Sequence, residues 1–226
     1  MCVIAVADKR RPTEVELEKM NQSNGDGAGI AWREGDKVKW EKNLDLAQIK
    51  ILNEQVPIPY VVHFRVCSSG GRHPELTHPF PVEREMRTDL SGTIKGSVLF
   101  HNGTWGVYRD RGLEEAIRGK LRIPDGKWSD TRCMAWLTHL HGPNALEFIN
   151  ERAILFGPQK IEIFHPDGWF RVDDLLVSNR IWETVRIKGV YEDVDDNDYG
   201  YMHGGYGWKR DQVCRMGTCT KPNVGT

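Results

Sequence analysis

The sequence predicts an α+β domain in which antiparallel strands predominate, and three observations carry that reading. Short apolar runs recur along the chain, beginning with Val3-Ile4-Ala5-Val6-Ala7, and clusters of turn-forming residues separate them. Neighbouring runs lie close enough to pair as hairpins, most clearly across Glu34-Gly35. Helical periodicity is confined to a few segments that start at recognisable caps.

Taken in order, the first apolar run reads as a buried strand. Thr13 with Glu16 makes a capping box for a short helix through about Asn21, with Val15, Leu17 and Met20 towards the core. The turn-rich stretch Asn24-Gly25-Asp26-Gly27-Ala28-Gly29 leads into a hairpin over roughly 29–42. No Gly-Lys-Ser/Thr and no helix follow its glycines, so they are not a phosphate loop; turn chemistry and close backbone approach to a ligand both remain open. Asp45 caps a second short helix over 45–54, which Pro57 and Pro59 end. Tyr60 to Val66 is a buried strand, followed by the polar loop Cys67-Ser68-Ser69-Gly70-Gly71-Arg72-His73. Ser97 to Phe100 forms a further strand that ends in His101-Asn102-Gly103. Leu113 to Leu121 is weakly helical. Ser129 caps a clear helix, Asp130 to His141, with Cys133, Met134, Trp136, Leu137 and Leu140 on its apolar stripe. A helical piece at 144–150 and short strands at 153–156, 160–164 and 169–172 follow, and 175–179 closes the sheet.

Composition narrows the function. A chain of 226 residues suits one large domain or a domain with an appendage. A net charge of −1 gives no electrostatic case for nucleic acid or an anionic membrane as partner. No apolar stretch approaches the roughly 20 residues of a membrane span, and Asp8-Lys9-Arg10-Arg11 cuts the first run short of a signal peptide. Five scattered cysteines fit a reduced, cytoplasmic protein better than a disulfide framework. From about Val190 an acidic run, Glu192 to Asp198, precedes a Gly/Tyr-rich stretch that cannot bury a core of its own. The expected organisation is therefore a domain at 1–189 and a tail at 190–226. Cys214, Cys219 and His203 are an incomplete, wrongly spaced zinc set, and no metal site is expected.

The chemistry-bearing residues are spread along the chain. Cys2 follows Met1, and a small second residue lets the initiator be removed, which would place a thiol and a free α-amine on one residue. Their reference pKa values, about 8.5 and about 7.7–8.0, make a nucleophile and its proton acceptor. A buried structural cysteine is the alternative. His63 and Arg65 share a face by their spacing of two, and a buried guanidinium needs an anion, from the protein or from a ligand. Asn102-Gly103 is either a plain turn or a side-chain amide and a backbone N–H aimed at one point, as in an oxyanion hole. Asp130 in a first helical turn complements the helix dipole.

Together Met1-Cys2, Asp26-Gly27-Ala28-Gly29-Ile30-Ala31-Trp32, His63-Phe64-Arg65 with His78-Pro79-Phe80, His101-Asn102-Gly103 and Ser129-Asp130-Thr131 resemble, in that order, the glutaminase domain of class II glutamine amidotransferases, within the N-terminal-nucleophile hydrolases. The resemblance runs from Cys2 to about Glu183. It implies a four-layer α/β/β/α sandwich of two antiparallel sheets. It implies Cys2 as nucleophile with its own α-amine as base, Asn102 and Gly103 as the oxyanion hole, Arg65 for the α-carboxylate of glutamine and Asp130 for its α-ammonium, with Ser68 and His78 also at the substrate. No cofactor is implied. Many members carry Thr or His where this chain has Val66-Cys67-Ser68-Ser69. No synthetase domain follows residue 183, so the ammonia acceptor is expected on a separate synthetase chain; oligomerisation is left open. Cleavage of another γ-glutamyl or small-molecule amide, or an idle binding scaffold of the same fold, are the competing readings.

Overall fold

The structure, a computed structural model, describes residues 2–67 and 71–187. Met1, Ser68 and the tail expected from Val190 lie outside the described residues. In chain order the strands are β1 (Val3–Ala7), β2 (Ala28–Glu34), β3 (Lys37–Leu44), β4 (Tyr60–Phe64), β5 (Phe80–Pro81), β6 (Ser91–Ile94), β7 (Val98–Asn102), β8 (Arg152–Phe156), β9 (Ile161–Phe164), β10 (Phe170–Val172) and β11 (Leu175–Val177). The helices are α1 (Glu14–Ser23), α2 (Leu46–Gln55), α3 (Tyr108–Gly119) and α4 (Asp130–His141).

All strand pairs are antiparallel and fall into two sheets. The larger runs β10-β11-β1-β4-β2-β3-β6, and the smaller β5-β7-β8-β9. Strand alternation sorts the side chains into layers. On β1 and β4, Val3, Ala5, Ala7, Tyr60, Val62 and Phe64 pack with Leu17 of α1 and Ile49 of α2. Ile4, Val6 and Val61 point the other way and meet Val98, Phe100, Ile154 and Phe156 of the second sheet. The far face of that sheet, with Leu99, Ala153 and Leu155, carries Met134 and Ala135 of α4. The molecule is thus the four-layer α/β/β/α sandwich.

The capping box of α1 is present in both directions, Glu16 N–H donating to Thr13 Oγ1 at 3.2 Å and Thr13 N–H to Glu16 Oε2 at 2.7 Å. Leu17 and Met20 are buried, whereas Val15, expected inside, is 37% exposed. Val15 lies in the first turn, and only Leu17 and Met20 of the helix face the core. The hairpin is β2–β3, with Gly35 at φ 63° in its turn. Two differences from expectation stand out. Strand β6 was not foreseen, because Ser91-Gly92-Thr93-Ile94 has little apolar content; it is an edge strand pairing only with β3. Helix α3 starts at Tyr108 rather than Leu113 and contains Gly112, a poor helix former. There a Cβ would crowd the Cys133 sulfur and Trp128, so close packing of α3 against α4 selects glycine.

Candidate active site

Cys2 sits where β1 enters the sheet, and its position is fixed by the last strand. Ile4 N–H donates to Ser178 Oγ at 2.9 Å, Ser178 N–H to Ile4 O at 3.0 Å, and the Asn179 side-chain amide to Cys2 O at 2.6 Å. Asn179 is itself held, its Oδ1 accepting from Ile181 N–H and its carbonyl from the Trp182 indole. This clamp was missed in the sequence. The only signal was two polar residues directly after an apolar strand, an ordinary turn composition.

The Cys2 sulfur lies 3.4 Å from both the N–H and the carbonyl oxygen of Val66. Burial pushes the thiol up from its ordinary value, while the Val66 backbone and the charge of Arg65 pull it back. Around it a small pocket is lined by Arg65, Val66, His78, His101, Gly103, Asp130 and Thr131 among others. Its free volume is about 20 Å³, room for a single water.

Arg65 is placed by the end of β4. The strand stops at Phe64, and the Arg65 backbone then bonds to the glycine-rich turn, its N–H to Gly27 O at 3.0 Å and its carbonyl to Asp26 N–H at 2.9 Å. Its guanidinium donates to Gly71 O at 2.7 Å and lies 3.7 Å from the Cys67 sulfur. Asp26 also accepts from Cys67 N–H at 2.9 Å. The glycines of this turn meet the protein's own chain: a Cβ on Gly29 would overlap the carbonyl oxygen of His78.

Asp130 is the first residue of α4, behind the Ser129 cap whose Oγ accepts from Arg132 N–H at 3.2 Å. Its carboxylate accepts from Thr131 N–H at 2.8 Å and from Trp105 N–H at 3.2 Å. Gly103, half-buried, borders the pocket. Asn102 does not line it. Its Nδ2 donates to Ser178 Oγ at 2.7 Å, and its Oδ1 has no hydrogen-bond partner among the described residues. Lys42, buried beneath, donates to Glu75 O at 3.0 Å and lies over the Phe80 ring; burial lowers its pKa to about 7.

His78 and His101 line the pocket, and His63 packs against His78. The His63 and His78 rings are 4.1 Å apart and those of His78 and His101 6.5 Å. Burial holds all three neutral, His63 at about 3, His101 at about 4 and His78 well below its ordinary value. His78, expected at the substrate, lines the pocket, but its Nε2 is engaged with Thr131 Oγ1 at 2.8 Å. Among the described residues no group of His, Cys, Asp and Glu is arranged to hold a metal ion, and no helix is long and apolar enough to cross a membrane. The structure therefore brings Cys2, Arg65, Gly103, Asp130 and His78 to one pocket, leaves the Asn102 amide turned aside, and does not describe Ser68.

The fold is that of the class II glutamine amidotransferases, an N-terminal-nucleophile hydrolase fold. One solved structure that shares it is glutamine phosphoribosylpyrophosphate amidotransferase from B. subtilis, complexed with ADP and GMP, at a TM-score of 0.53 and 15% identity over 78% of this chain. A second, described as the allosteric regulatory enzyme of purine biosynthesis, gives 0.54 and 16% over the same share. At that identity the likeness is one of fold. The chain spans 41% of the length of each. No protein-family model and no curated protein matches the sequence.

Proposed function

We propose that this domain hydrolyses the side-chain amide of glutamine through Cys2. The observation that supports it most is the convergence, around one buried thiol at the start of a central strand, of a cation, Arg65, and an anion, Asp130. A free amino acid carries one charge of each sign on its head group, and a carboxamide needs a nucleophile and an oxyanion site. With Met1 removed, the α-amine of Cys2 takes the thiol proton and the sulfur attacks the amide carbon. The proton passes to the departing nitrogen and ammonia leaves a γ-glutamyl thioester. Water then attacks the thioester carbon, giving glutamate and the free thiol. Arg65 suits the α-carboxylate through its planar fork, and Asp130 suits the α-ammonium.

Gly103 N–H supplies one oxyanion donor. Asn102 supplies a second once its amide turns over: Oδ1 then accepts from the Ser178 hydroxyl, which satisfies the orphaned oxygen, and Nδ2 is released. The test is intact mass with and without an electrophile that mimics glutamine, followed by glutamate release. Loss of Met1, one adduct at Cys2 and no glutamate from Cys2→Ala are the expected results. Full activity of protein that retains Met1 rules out the α-amine mechanism.

A further inference from the structure

We propose that Thr131 is a positioning residue that aims the Asp130 carboxylate at the substrate's ammonium group, and that His78 and His101 lock it in that state; this rests on the glutaminase reading above. Thr131 is 1% exposed, and its hydroxyl has three polar neighbours: His78 Nε2 at 2.8 Å, His101 Nδ1 at 3.0 Å and Asp130 Oδ1 at 3.4 Å. A hydroxyl has one proton to give and two lone pairs to receive. A carboxylate can only accept. Only one assignment makes all three contacts attractive: both histidines donate into Thr131 Oγ1, and the Thr131 proton points to Asp130. Any arrangement that spends the hydroxyl proton on a histidine sets an oxygen lone pair against the carboxylate.

Burial of both imidazoles keeps each ring with a single N–H, so each tautomer is fixed by this contact. The remaining ring atoms agree: among the described residues His78 Nδ1 and His101 Nε2 have no hydrogen-bond partner, as expected for lone-pair nitrogens whose proton sits on the other side of the ring. His101 Nδ1 also lies 3.9 Å from Asp130 Oδ2, so the positive end of its N–H dipole is near the carboxylate. With Thr131 N–H and Trp105 N–H also donating, Asp130 is held from its own helix, from the segment after β7 and through the hydroxyl, while a carboxylate's roughly four acceptor sites leave capacity for an ammonium.

Alkylation of Cys2, followed by mass spectrometry of its peptide, separates this from a purely structural role. A chloroketone that carries the amino-acid head group reports on Asp130, whereas iodoacetamide, which has no head group, reports on the thiol alone. Thr131→Val is expected to slow the chloroketone relative to iodoacetamide by roughly 10- to 100-fold, the range for a lost hydrogen bond to a charged group. It should raise KM for glutamine more than it lowers kcat, and Thr131→Ser should restore both. An unchanged ratio in Thr131→Val, with the ratio lowered in Asp130→Ala, overturns the positioning role and leaves the glutaminase reading standing. An unchanged ratio in both overturns the head-group assignment as well. Should Thr131→Val fail to fold, His78→Gln, which keeps a donor in place of Nε2–H, against His78→Leu carries the same comparison.

Discussion

Two glycines, Gly103 at the pocket and Gly29 in β2, meet different obstacles to a side chain. At Gly103 an added Cβ would run into the end of the Glu151 side chain and come within 3.0 Å of His101 Nε2. Glu151 can swing away, but the buried ring cannot. Gly103→Ala should therefore keep its melting temperature within a few degrees yet lose about 100-fold or more in glutamate release, the cost of a displaced oxyanion donor. At Gly29 the obstacle is the backbone carbonyl of His78, which has nowhere to go. Gly29→Ala should lose roughly 2 kcal/mol or more of stability by chemical denaturation. Cys2, Arg65, Gly103 and Asp130, which line one pocket, were singled out in the sequence by the order of the motifs that carry them, since each alone is open to a plain structural reading. Thr131, Ser178 and Asn179 were not, since a hydroxyl or amide takes its role only from what the fold brings beside it.

At the scale of elements, caps translated directly from sequence to structure. Thr13, Asp45 and Ser129 each accept the backbone bond expected of them, because a cap is a contact within four residues and needs no tertiary partner. Ser129 has the added task of starting the helix on which Asp130 rides. Ser129→Ala should cost about 1 kcal/mol in urea unfolding and raise KM for glutamine with it; a stability loss with KM unmoved would show that the Thr131 and Trp105 contacts hold Asp130 without the cap. Helix α3 and strand β6 were poorly legible for the opposite reason. Gly112 and Ser91-Gly92-Thr93 have weak intrinsic preferences, and packing against α4 and pairing with β3 decide their state.

For the whole molecule, the buried histidines set a pH limit. The pKa values of His63, His78 and His101 lie below the unfolded value of about 6.5, so between pH 6.5 and about 4 the unfolded chain binds more protons and stability falls as pH falls. Each such group contributes at most about 1.4 kcal/mol per pH unit. Urea midpoints should drop between pH 7 and pH 5, before the paired carboxylates Asp8 and Glu16, whose pKa values are lowered, begin to protonate. His63→Leu should flatten that slope; an unchanged slope would place the titrating groups elsewhere. The described fold ends just past Trp182, which packs into the α1 layer. A chain truncated after Ile187 is expected to fold and to react at Cys2 as the full chain does, and its failure to fold would extend the domain into the tail. The order of motifs along the chain foretold the sandwich, while the packing around Cys2 follows from side chains that no motif encodes.

The clamp from Ser178 and Asn179 also sets a timetable. Its bond to Ile4 spans 174 residues of chain. At ribosomal speeds of about 5–20 residues per second, roughly 10–35 seconds separate the emergence of β1 from that of the strand that completes its pairing. Throughout that interval β1 can pair with β4, but the first residues lack the bonds from Ser178 and Asn179 that later clamp them. On the proposed mechanism, which needs Met1 removed, slowing translation ahead of β11 should raise the fraction of chains that begin at Cys2.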